Sequence, residues 1–164
     1  MKVSKELIKL LKHHEGVRYK PYKCPAGLWT VGVGHVLYPE QAKIPASLEG
    51  MAVRKAYPLK PEDNRRWSEE EVDSLLAKDV VRFERGVARY LPIRLSQNEF
   101  DALVSFSFNL GLGVLQRSTL RQALLRGDKV MAMQSLLKYN KAGGKVLKGL
   151  DIRRKDEAAL FRKE

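Results

Sequence analysis

The sequence contains very little cysteine: Cys24 is the only one among 164 residues. A single thiol cannot form an internal disulfide, so the fold does not require an oxidising compartment. A long apolar run is also missing, because charged residues such as Lys2, Lys5 and Lys9 interrupt the beginning of the chain. That stretch is too charged for the core of a signal peptide and too short for a membrane span. We therefore expect a protein that is made in soluble form in the cytoplasm and is not inserted stably into a membrane.

Acidic residues are few compared with basic ones: 19 Asp and Glu face 31 Lys and Arg, which gives a formal net charge of +12. Such a balance favours anionic partners, namely nucleic acid, a membrane surface or the acidic polymers of a cell envelope. The charge is spread along the chain rather than gathered in one arm, and it does not choose among these partners. A basic surface that only aids solubility is the alternative interpretation.

The N-terminal part of the chain changes pattern once. Apolar residues at helical spacing predict a helix over residues 4–14, with Ser4 as its N-cap and Gly16 after its end. Residues 17–37 combine aromatic and β-branched residues with Pro and Gly. This mixture indicates short strands and a hairpin.

A long connection, residues 38–67, contains four prolines and is interpreted as an elaborated loop with a short helix near residues 47–56. The rest of the chain is predicted to be helical. Ser68 with Glu71, and Ser96 with Glu99, form capping boxes at which two helices begin. Further helices are predicted over residues 116–126, 129–140 and 150–162.

These elements predict an α+β, mainly helical fold in a single domain over residues 1–164. A small β-hairpin lobe is expected over residues 15–67, and a larger helical lobe over residues 68–164 together with the N-terminal helix 4–14. A hydrophobic fraction of 44% is sufficient for such a core. A cleft between two unequal lobes is a common place for a polymeric substrate.

Glu15 is the first residue that suggests chemistry. It is expected at the C-terminal end of the first helix, where the helix dipole disfavours a carboxylate. Partial burial between the lobes would also favour the protonated form. A glycosidase needs such a protonated carboxyl to donate a proton to the leaving sugar oxygen. By position alone, an ordinary surface glutamate is the simpler interpretation, and Arg18 or Lys20 would oppose the shift.

The sequence that follows carries a longer pattern. Cys24 follows Glu15 after eight residues, and Thr30 follows Cys24 after five; the segment Gly32-Val33-Gly34-His35 comes next. This spacing resembles the active-site signature of phage-type lysozymes, a family that includes the T-even phage lysozymes and the lambdoid endolysins. The family pattern is Glu, eight residues, Asp or Cys, five residues and Thr.

The resemblance continues downstream. Residues 68–80 look like the family's helix between the lobes, residues 97–111 look like its central helix, and residues 142–154 look like its C-terminal signature. Residues 38–67 take no part in it, because this connection is longer than in short members of the family. The resemblance implies a lysozyme-like, two-lobed fold that uses no cofactor.

The resemblance also implies roles for individual residues. Glu15 would be the general acid, Cys24 would take the place of the second catalytic group, and Thr30 would help to hold the attacking water. His35 and Asp79 would form a structural ion pair. Substrate-binding positions would be Phe108, Asn109 and Gly34, and Arg153 or Arg154 would reach towards Glu15.

Cys24 needs a separate argument, because no acidic residue lies between Glu15 and Glu40. A glycosidase with two carboxylates needs a second acid beside the bond, so this role falls to Cys24 or to an acid distant in sequence. A free thiol, with a pKa of about 8.5, is a poorer base than a carboxylate, although Lys20 and Lys23 would lower that pKa. We expect Cys24 to act at the water site. A small buried hydrophobe and a covalent nucleophile are the alternatives.

Other groups of residues fit known chemistry less well. His13, His14 and His35 with Cys24 match no zinc spacing, so no metal site is predicted. Cys24 with His35 lacks the orienting acid of a cysteine peptidase. The Gly32-Val33-Gly34 segment lacks the rest of a phosphate-binding loop.

We therefore expect an endolysin that hydrolyses the β-1,4 bond between N-acetylmuramic acid and N-acetylglucosamine in peptidoglycan. A lytic transglycosylase, which uses the sugar's own 6-hydroxyl in place of water, is the first alternative, and a basic nucleic-acid-binding module is a remote one. We expect a monomer without a nucleic-acid partner, made in the host cytoplasm and acting in the periplasm after holin-type release.

Overall fold

The computed structural model describes residues 1–164 and contains eight α-helices and two small antiparallel sheets. The helices are α1 (Lys5–Glu15), α2 (Leu48–Ala56), α3 (Glu69–Tyr90), α4 (Gln97–Leu110), α5 (Leu112–Arg117), α6 (Thr119–Leu125), α7 (Lys129–Leu137) and α8 (Lys148–Arg162). The strands are β1 (Arg18–Lys23), β2 (Trp29–Gly32), β3 (His35–Val36), β4 (Lys141–Ala142) and β5 (Lys145–Val146). The predicted α+β, mainly helical fold class is confirmed. No helix is both long enough and apolar enough to cross a lipid bilayer.

The chain divides into two compact units. The first, here called the hairpin unit, comprises residues 8–79, and the second, here called the helical unit, comprises residues 1–7 and 80–164. The boundaries between them fall within α1 and α3.

Helix α1 begins and ends close to where the sequence predicts. Ser4 Oγ accepts a hydrogen bond from the Leu7 backbone N–H at 3.2 Å, as an N-cap does. At the other end Gly16 has a φ of +78°, and its N–H donates to Lys12 O at 3.0 Å. Because a residue with a Cβ rarely adopts this angle, glycine is the residue that ends the helix directly after Glu15.

The hairpin unit is built on a three-stranded antiparallel sheet in the order β1-β2-β3. Strand β1 pairs with β2 with a register shift inside β1, and β2 pairs with β3. In this register Thr30 of the central strand lies opposite Tyr22 on one side and Val36 on the other. The sheet therefore fixes the backbone of Thr30 from both neighbouring strands.

The core of the hairpin unit brings α3 very close to β2. A Cβ added to Gly32 would lie 3.0 Å from Val72 Cγ1, and Gly32 has a φ of +69°. Both the close approach and the left-handed backbone favour glycine at this position. The buried apolar side chains of this unit are Leu11, Val31, Val33, Tyr38, Val72 and Leu76.

The connection over residues 38–67 is more ordered than the elaborated loop that its prolines suggest. Pro39 and Pro61 each begin a short 3-10 helix, Pro39–Lys43 and Pro61–Asp63, since proline is tolerated in a first helical turn. The predicted short helix is present as α2, and Ser47 Oγ caps it by accepting from the Gly50 N–H at 3.1 Å.

Both predicted capping boxes are present, and they begin α3 and α4. Glu71 N–H donates to Ser68 Oγ at 3.1 Å, and Ser68 N–H donates to Glu71 Oε1 at 3.0 Å. The pair Ser96 and Glu99 makes the same reciprocal hydrogen bonds at 3.1 and 2.9 Å. Each box satisfies two backbone donors that the helix itself leaves unpaired.

The helical unit surrounds α4, in which nine consecutive residues from Glu99 to Ser107 are buried. A helix that is buried on all sides forms the centre of its unit, and α8 packs against it. The apolar side chains of this core include Phe100, Leu103, Phe106, Leu115, Leu120, Met133, Leu136 and Phe161.

A buried polar cluster joins α8 to α4 within this apolar core. Glu157 is fully buried and contacts Arg153 Nε at 3.2 Å and Arg154 Nε at 2.7 Å. Ser105 Oγ of α4 donates to Glu157 Oε2 at 2.6 Å. Burial raises the pKa of Glu157, while the two guanidinium groups and the Ser105 hydroxyl oppose that shift. The carboxylate thus compensates two buried cations at once.

Two predicted helices of this unit are shorter than expected, and one pair of strands was not predicted. The helix predicted over residues 116–126 is interrupted at Ser118, whose Oγ accepts from the Arg121 N–H at 2.9 Å and so caps a new helix, α6. The helix predicted over residues 129–140 ends at Leu137. Strands β4 and β5 then form a two-stranded hairpin around Gly143 and Gly144, and strands of two residues carry too little periodicity to be recognised.

Replacement of Glu157 by Gln is expected to destabilise the protein by about 3–5 kcal/mol, because two buried guanidinium groups lose their compensating charge. The free energy of unfolding from urea titration measures this loss. The matched control is Glu70→Gln, which removes an exposed carboxylate from α3 and should change stability by less than about 0.5 kcal/mol. Equal stability of the two variants would show that the cluster contributes little.

Candidate active site

Glu15 is the last residue of α1, and its side chain is exposed. The position at the helix C-terminus is the predicted one, and the exposure agrees with the surface position that the sequence analysis gave as the simpler interpretation. Gly16 ends the helix immediately after it, so the chain turns away at this point. The carboxyl group is therefore presented to solvent, where a polymeric ligand can reach it.

Cys24 begins the turn that joins β1 to β2. Its N–H donates to Leu28 O at 3.0 Å, and the Gly27 N–H donates to Cys24 O at 2.8 Å. Pro25 occupies the second position of the turn and Gly27, with a φ of +79°, the fourth. This is the pattern of a three-residue hairpin loop with a bulge at its glycine. The turn fixes the backbone that carries the thiol.

The Cys24 thiol is half-buried and forms no disulfide. Burial raises its pKa, but hydrogen bonds to the sulfur from the backbone of Leu28, the Thr30 side chain and the backbone of Ala26 lower it, and the net shift is downward from the ordinary value. Hydrogen bonds to the charged form favour that form. The site therefore raises the fraction of thiolate relative to a free cysteine.

Thr30 lies beside Cys24 and is only 2% exposed. Its hydroxyl donates to Leu28 O at 2.9 Å, and it is also one of the groups that hydrogen-bond the Cys24 sulfur. A hydroxyl has one hydrogen to donate, so the thiolate and the Leu28 carbonyl compete for it. In either arrangement the Thr30 oxygen keeps lone pairs with which it can accept a hydrogen bond.

Tyr22 is a residue of this site that the sequence analysis did not select. Burial raises the pKa of its phenol, the charges of Cys24 and Glu15 raise it further, and Arg18 lowers it. The Arg18 guanidinium lies over the Tyr22 ring, with Cζ 4.6 Å from the centroid. The charges of Glu15 and Cys24, the two predicted catalytic residues, therefore both act on the Tyr22 phenol.

The lysines that we expected to lower the pKa of Cys24 contribute less to this shift than the hydrogen bonds to the sulfur do. Lys20 is not among the causes of that shift. Lys23 lies near the sulfur: burial lowers the pKa of Lys23, and the charge of Cys24 raises it. The shift of Cys24 depends mainly on the geometry of the turn, which a sequence pattern of charges does not reveal.

The predicted pair of His35 and Asp79 is in contact within the hairpin unit, with His35 Nδ1 2.8 Å from Asp79 Oδ2. This contact is an ion pair when the imidazole is protonated and a hydrogen bond when it is neutral. Gly34, directly before His35, is exposed, has a φ of +70° and has open space where a Cβ would lie. Its role in binding substrate stays a prediction.

The remaining predicted residues lie in the helical unit. Phe108 is half-buried, with its ring centroid 5.1 Å from that of Phe83. Asn109 Oδ1 accepts a hydrogen bond from Arg154 Nη2 at 2.8 Å. Arg153 and Arg154 both belong to the buried cluster with Glu157. Their predicted contact with Glu15 stays a prediction.

The model of the phage lysozyme family matches residues 12–157, which include all of these positions. The chain belongs to the phage lysozyme family. The resemblance predicted from the spacing of Glu15, Cys24 and Thr30 is therefore confirmed. The matched range of this phage lysozyme homologue also includes the connection over residues 38–67, which the resemblance predicted from the sequence leaves out.

Its relatives include endolysins of bacteriophages. The endolysin of Bacillus phage B103 is 39% identical over 163 residues, which are 98% of this chain and 54% of that protein. The endolysin of Acyrthosiphon pisum secondary endosymbiont phage 1 is 32% identical, and the match covers 98% of both chains. The phage lysozyme chain described here thus spans about half the length of the Bacillus phage relative and nearly all of the other.

A solved structure extends the similarity to the fold. The muramidase domain of SpmX from Asticaccaulis excentricus aligns with a TM-score of 0.78 at 28% identity, over 99% of both chains. The lysozyme-like fold predicted for this phage lysozyme homologue is confirmed.

Replacement of Thr30 by Val should raise the pKa of the Cys24 thiol, because the thiolate loses one of the hydrogen bonds that stabilise it. Cys24 is the only cysteine, so the pH dependence of its alkylation by iodoacetamide reports this pKa directly. The midpoint of that profile should move to higher pH in Thr30→Val and stay unchanged in Thr119→Val, where an exposed threonine is altered in the same way. Coincident profiles would contradict the contact between Thr30 and the sulfur.

Proposed function

We propose that this chain cleaves the glycan strands of bacterial peptidoglycan by hydrolysing the β-1,4 bond between N-acetylmuramic acid and N-acetylglucosamine. The observation that carries this proposal is an exposed carboxyl at the end of α1 and a hydrogen-bonded thiol on the turn after β1, both of whose charges act on Tyr22. Membership of the phage lysozyme family and similarity to phage endolysins support the same substrate.

Glu15 is the proton donor in this proposal. Cleavage of a glycosidic bond leaves negative charge on the departing sugar oxygen, and a positioned carboxylic acid neutralises it by proton transfer. The exposure of its side chain lets the bridging oxygen of a polymer approach.

Cys24 and Thr30 hold the attacking water in this proposal. Water has two hydrogens to donate, and the Cys24 thiolate and the Thr30 oxygen are two adjacent acceptors. A water that donates to both keeps a lone pair for attack on the anomeric carbon. As the new C–O bond forms, one water proton passes to the sulfur, while Glu15 gives its proton to the leaving oxygen. Exchange with solvent then restores both groups.

The charge of the molecule supports an anionic polymer as the substrate. It is less evenly distributed than the sequence suggests: the helical unit carries 19 Lys and Arg against nine Asp and Glu, and the hairpin unit carries 12 against ten. Almost all of the net positive charge therefore lies in the helical unit. Peptidoglycan and the polymers around it are anionic, and a field of this sign attracts them over a distance set by the ionic strength.

The setting of the activity belongs to the same proposal. We infer that the protein acts as a monomer on glycan strands, without nucleic acid as a partner. We infer further that it is made in the host cytoplasm and reaches the periplasm after holin-type release. The endolysin names of its relatives support this setting.

Replacement of Glu15 by Gln is expected to lower the rate of peptidoglycan cleavage at least about a hundredfold, because proton transfer to the leaving oxygen is lost. The fall in turbidity of a suspension of purified cell walls measures the rate. The side chain is exposed, so the thermal midpoint should change little. A variant that retains more than about a tenth of the original rate would remove Glu15 from the role of general acid.

Mass spectrometry of the fragments released from purified peptidoglycan tests the reaction itself. Hydrolysis by water leaves a free reducing N-acetylmuramic acid at the new end, and this is the expected product. The absence of any acidic residue between Glu15 and Glu40 favours a second candidate, a lytic transglycosylase that needs only one carboxyl. Anhydro ends, lighter by one water, would establish that candidate and leave Cys24 without a catalytic task.

A further inference from the structure

The turn that carries Cys24 is held from outside by a buried arginine. Arg54 of α2 is 8% exposed, and its Nη1 donates to Ala26 O, at the centre of the turn, at 3.1 Å. Its other hydrogen bonds go to Ile44 O, from Nε at 3.0 Å, and to Ala42 O, from Nη2 at 3.4 Å. All of these acceptors are neutral backbone carbonyls. One guanidinium therefore ties the turn to two further points of the connection over residues 38–67.

The contact between Arg54 and Ala26 fixes the part of the turn whose backbone groups donate hydrogen bonds to the Cys24 sulfur. The Ala26 carbonyl and the Gly27 N–H belong to the same peptide group, and that N–H donates to Cys24 O at 2.8 Å. The central peptide is thus held at both ends, by Arg54 and by Cys24. The backbone groups on either side of it, at Ala26 and Leu28, are those that hydrogen-bond the thiolate.

A second contact holds the other flank of Cys24. The Lys23 ammonium donates to Arg54 O and, at 3.3 Å, to Tyr57 O, directly after the C-terminal end of α2. Partial negative charge at a helix C-terminus favours such a cation. Lys23 Nζ also lies 4.6 Å from the centroid of the Trp29 ring. Residues on both sides of Cys24 are therefore bound to the same helix.

The backbone of the turn and α2 lie in direct contact. A Cβ added to Gly27 would lie 3.3 Å from both Arg54 Cβ and Met51 Cε. The beginning of β2 is held in a similar way, because the Trp29 N–H donates to the buried Gln41 Oε1 at 2.8 Å and Trp29 Nε1 donates to Tyr57 O at 2.7 Å. The contacts of this connection converge on the few residues around the thiol.

We propose that Arg54 is a positioning residue for Cys24, and that α2 with its flanking segments forms a support for the water site. The proposal rests on the proposed function, because it assigns to the connection the task of holding the thiol in place for attack by water. Without the guanidinium, the Ala26 carbonyl loses its charged donor and the turn gains freedom. The backbone donors at Ala26 and Leu28 then no longer converge on the sulfur. The thiolate becomes less stable, and the water loses a fixed acceptor.

The groups that act on the thiol besides this turn come from the two strands and from α1. Lys23 and Tyr22 of β1 interact electrostatically with Cys24, Thr30 of β2 hydrogen-bonds it, and Glu15 of α1 acts on the same Tyr22 hydroxyl. A substitution at Arg54 leaves the side chains of these residues in place. A change in the behaviour of the thiol in Arg54→Met therefore reports the loss of the guanidinium, and Arg54→Lys, which keeps the positive charge, separates the hydrogen bonds to the turn from that charge.

The test compares three variants of α2. Arg54→Met keeps the length of the side chain and removes every donor, Arg54→Lys keeps the charge but has a single ammonium group, and Lys55→Met is the control, since Lys55 is the exposed neighbour on the same helix. Two quantities are measured on folded protein: the pH midpoint of Cys24 alkylation by iodoacetamide, and the turnover of purified cell walls at saturating substrate.

Arg54→Met should raise the alkylation midpoint by about one pH unit, since the thiolate loses hydrogen bonds. Its turnover should fall about ten- to a hundredfold, since the reacting groups are displaced, with KM nearly unchanged. Arg54→Lys should shift both quantities less and in the same direction, and Lys55→Met should match the original protein. If Arg54 only stabilised the fold, Arg54→Met would lower the temperature of unfolding. The alkylation midpoint and the turnover of the protein that remains folded would then be unchanged.

Several outcomes would overturn the proposal. The proposal is wrong if Arg54→Met folds and has the same alkylation midpoint and the same turnover as Lys55→Met. If Arg54→Met does not fold, an unchanged midpoint in Arg54→Lys would count against the proposal in the same way. Cys24→Ala separates this proposal from the proposed function: full turnover in that variant would contradict the catalytic role of the thiol. A midpoint shift in Arg54→Met, which requires no catalysis, would still support the positioning of the sulfur.

Discussion

Two backbone hydrogen bonds close the turn between β1 and β2, and the groups of the candidate site depend on that closure. The bonds run from Cys24 N–H to Leu28 O and from Gly27 N–H to Cys24 O. They set the backbone on which the thiol stands, and they bring backbone donors within reach of the sulfur. They also set the point from which β2 starts, and so the place of Thr30 in the central strand. A small error in this turn would displace the thiol and its donors together.

Most of the local structure could be predicted because it depends on residues close in sequence. Ser4 and Gly16 bound α1, and the boxes at Ser68 and Ser96 begin α3 and α4. In each case the donor and acceptor lie within four residues of each other, so a short pattern contains the whole interaction. The spacing of Glu15, Cys24 and Thr30 predicted the family for a similar reason. A helix end, a hairpin turn and a strand follow one another directly, and few conformations satisfy all three.

What could not be predicted depends on contacts between distant residues. Arg54 meets Ala26 across 28 positions, and no periodicity or cap connects the two in the sequence. The prolines of residues 38–67 suggested a loop because proline breaks helices. Proline is nevertheless compatible with a first helical turn, and the 3-10 helices of this connection begin with proline. The exposure of Glu15 could not be predicted for a related reason. Burial is a property of the packed molecule, and position at a helix end does not determine it.

The choice of neutral acceptors for Arg54 has a consequence for the thiol. A buried guanidinium is usually compensated by a carboxylate, because an isolated charge in a protein interior is costly. A carboxylate next to the turn, however, would place negative charge near Cys24 and oppose formation of the thiolate. Backbone carbonyls satisfy the guanidinium donors and leave its positive charge uncancelled. The stretch between Glu15 and Glu40 contains no acidic residue, so the thiol meets no nearby negative charge from its own turn either. In the proposed mechanism, the lack of acidic residues around the thiol is thus part of what would allow a cysteine to take the place of a carboxylate.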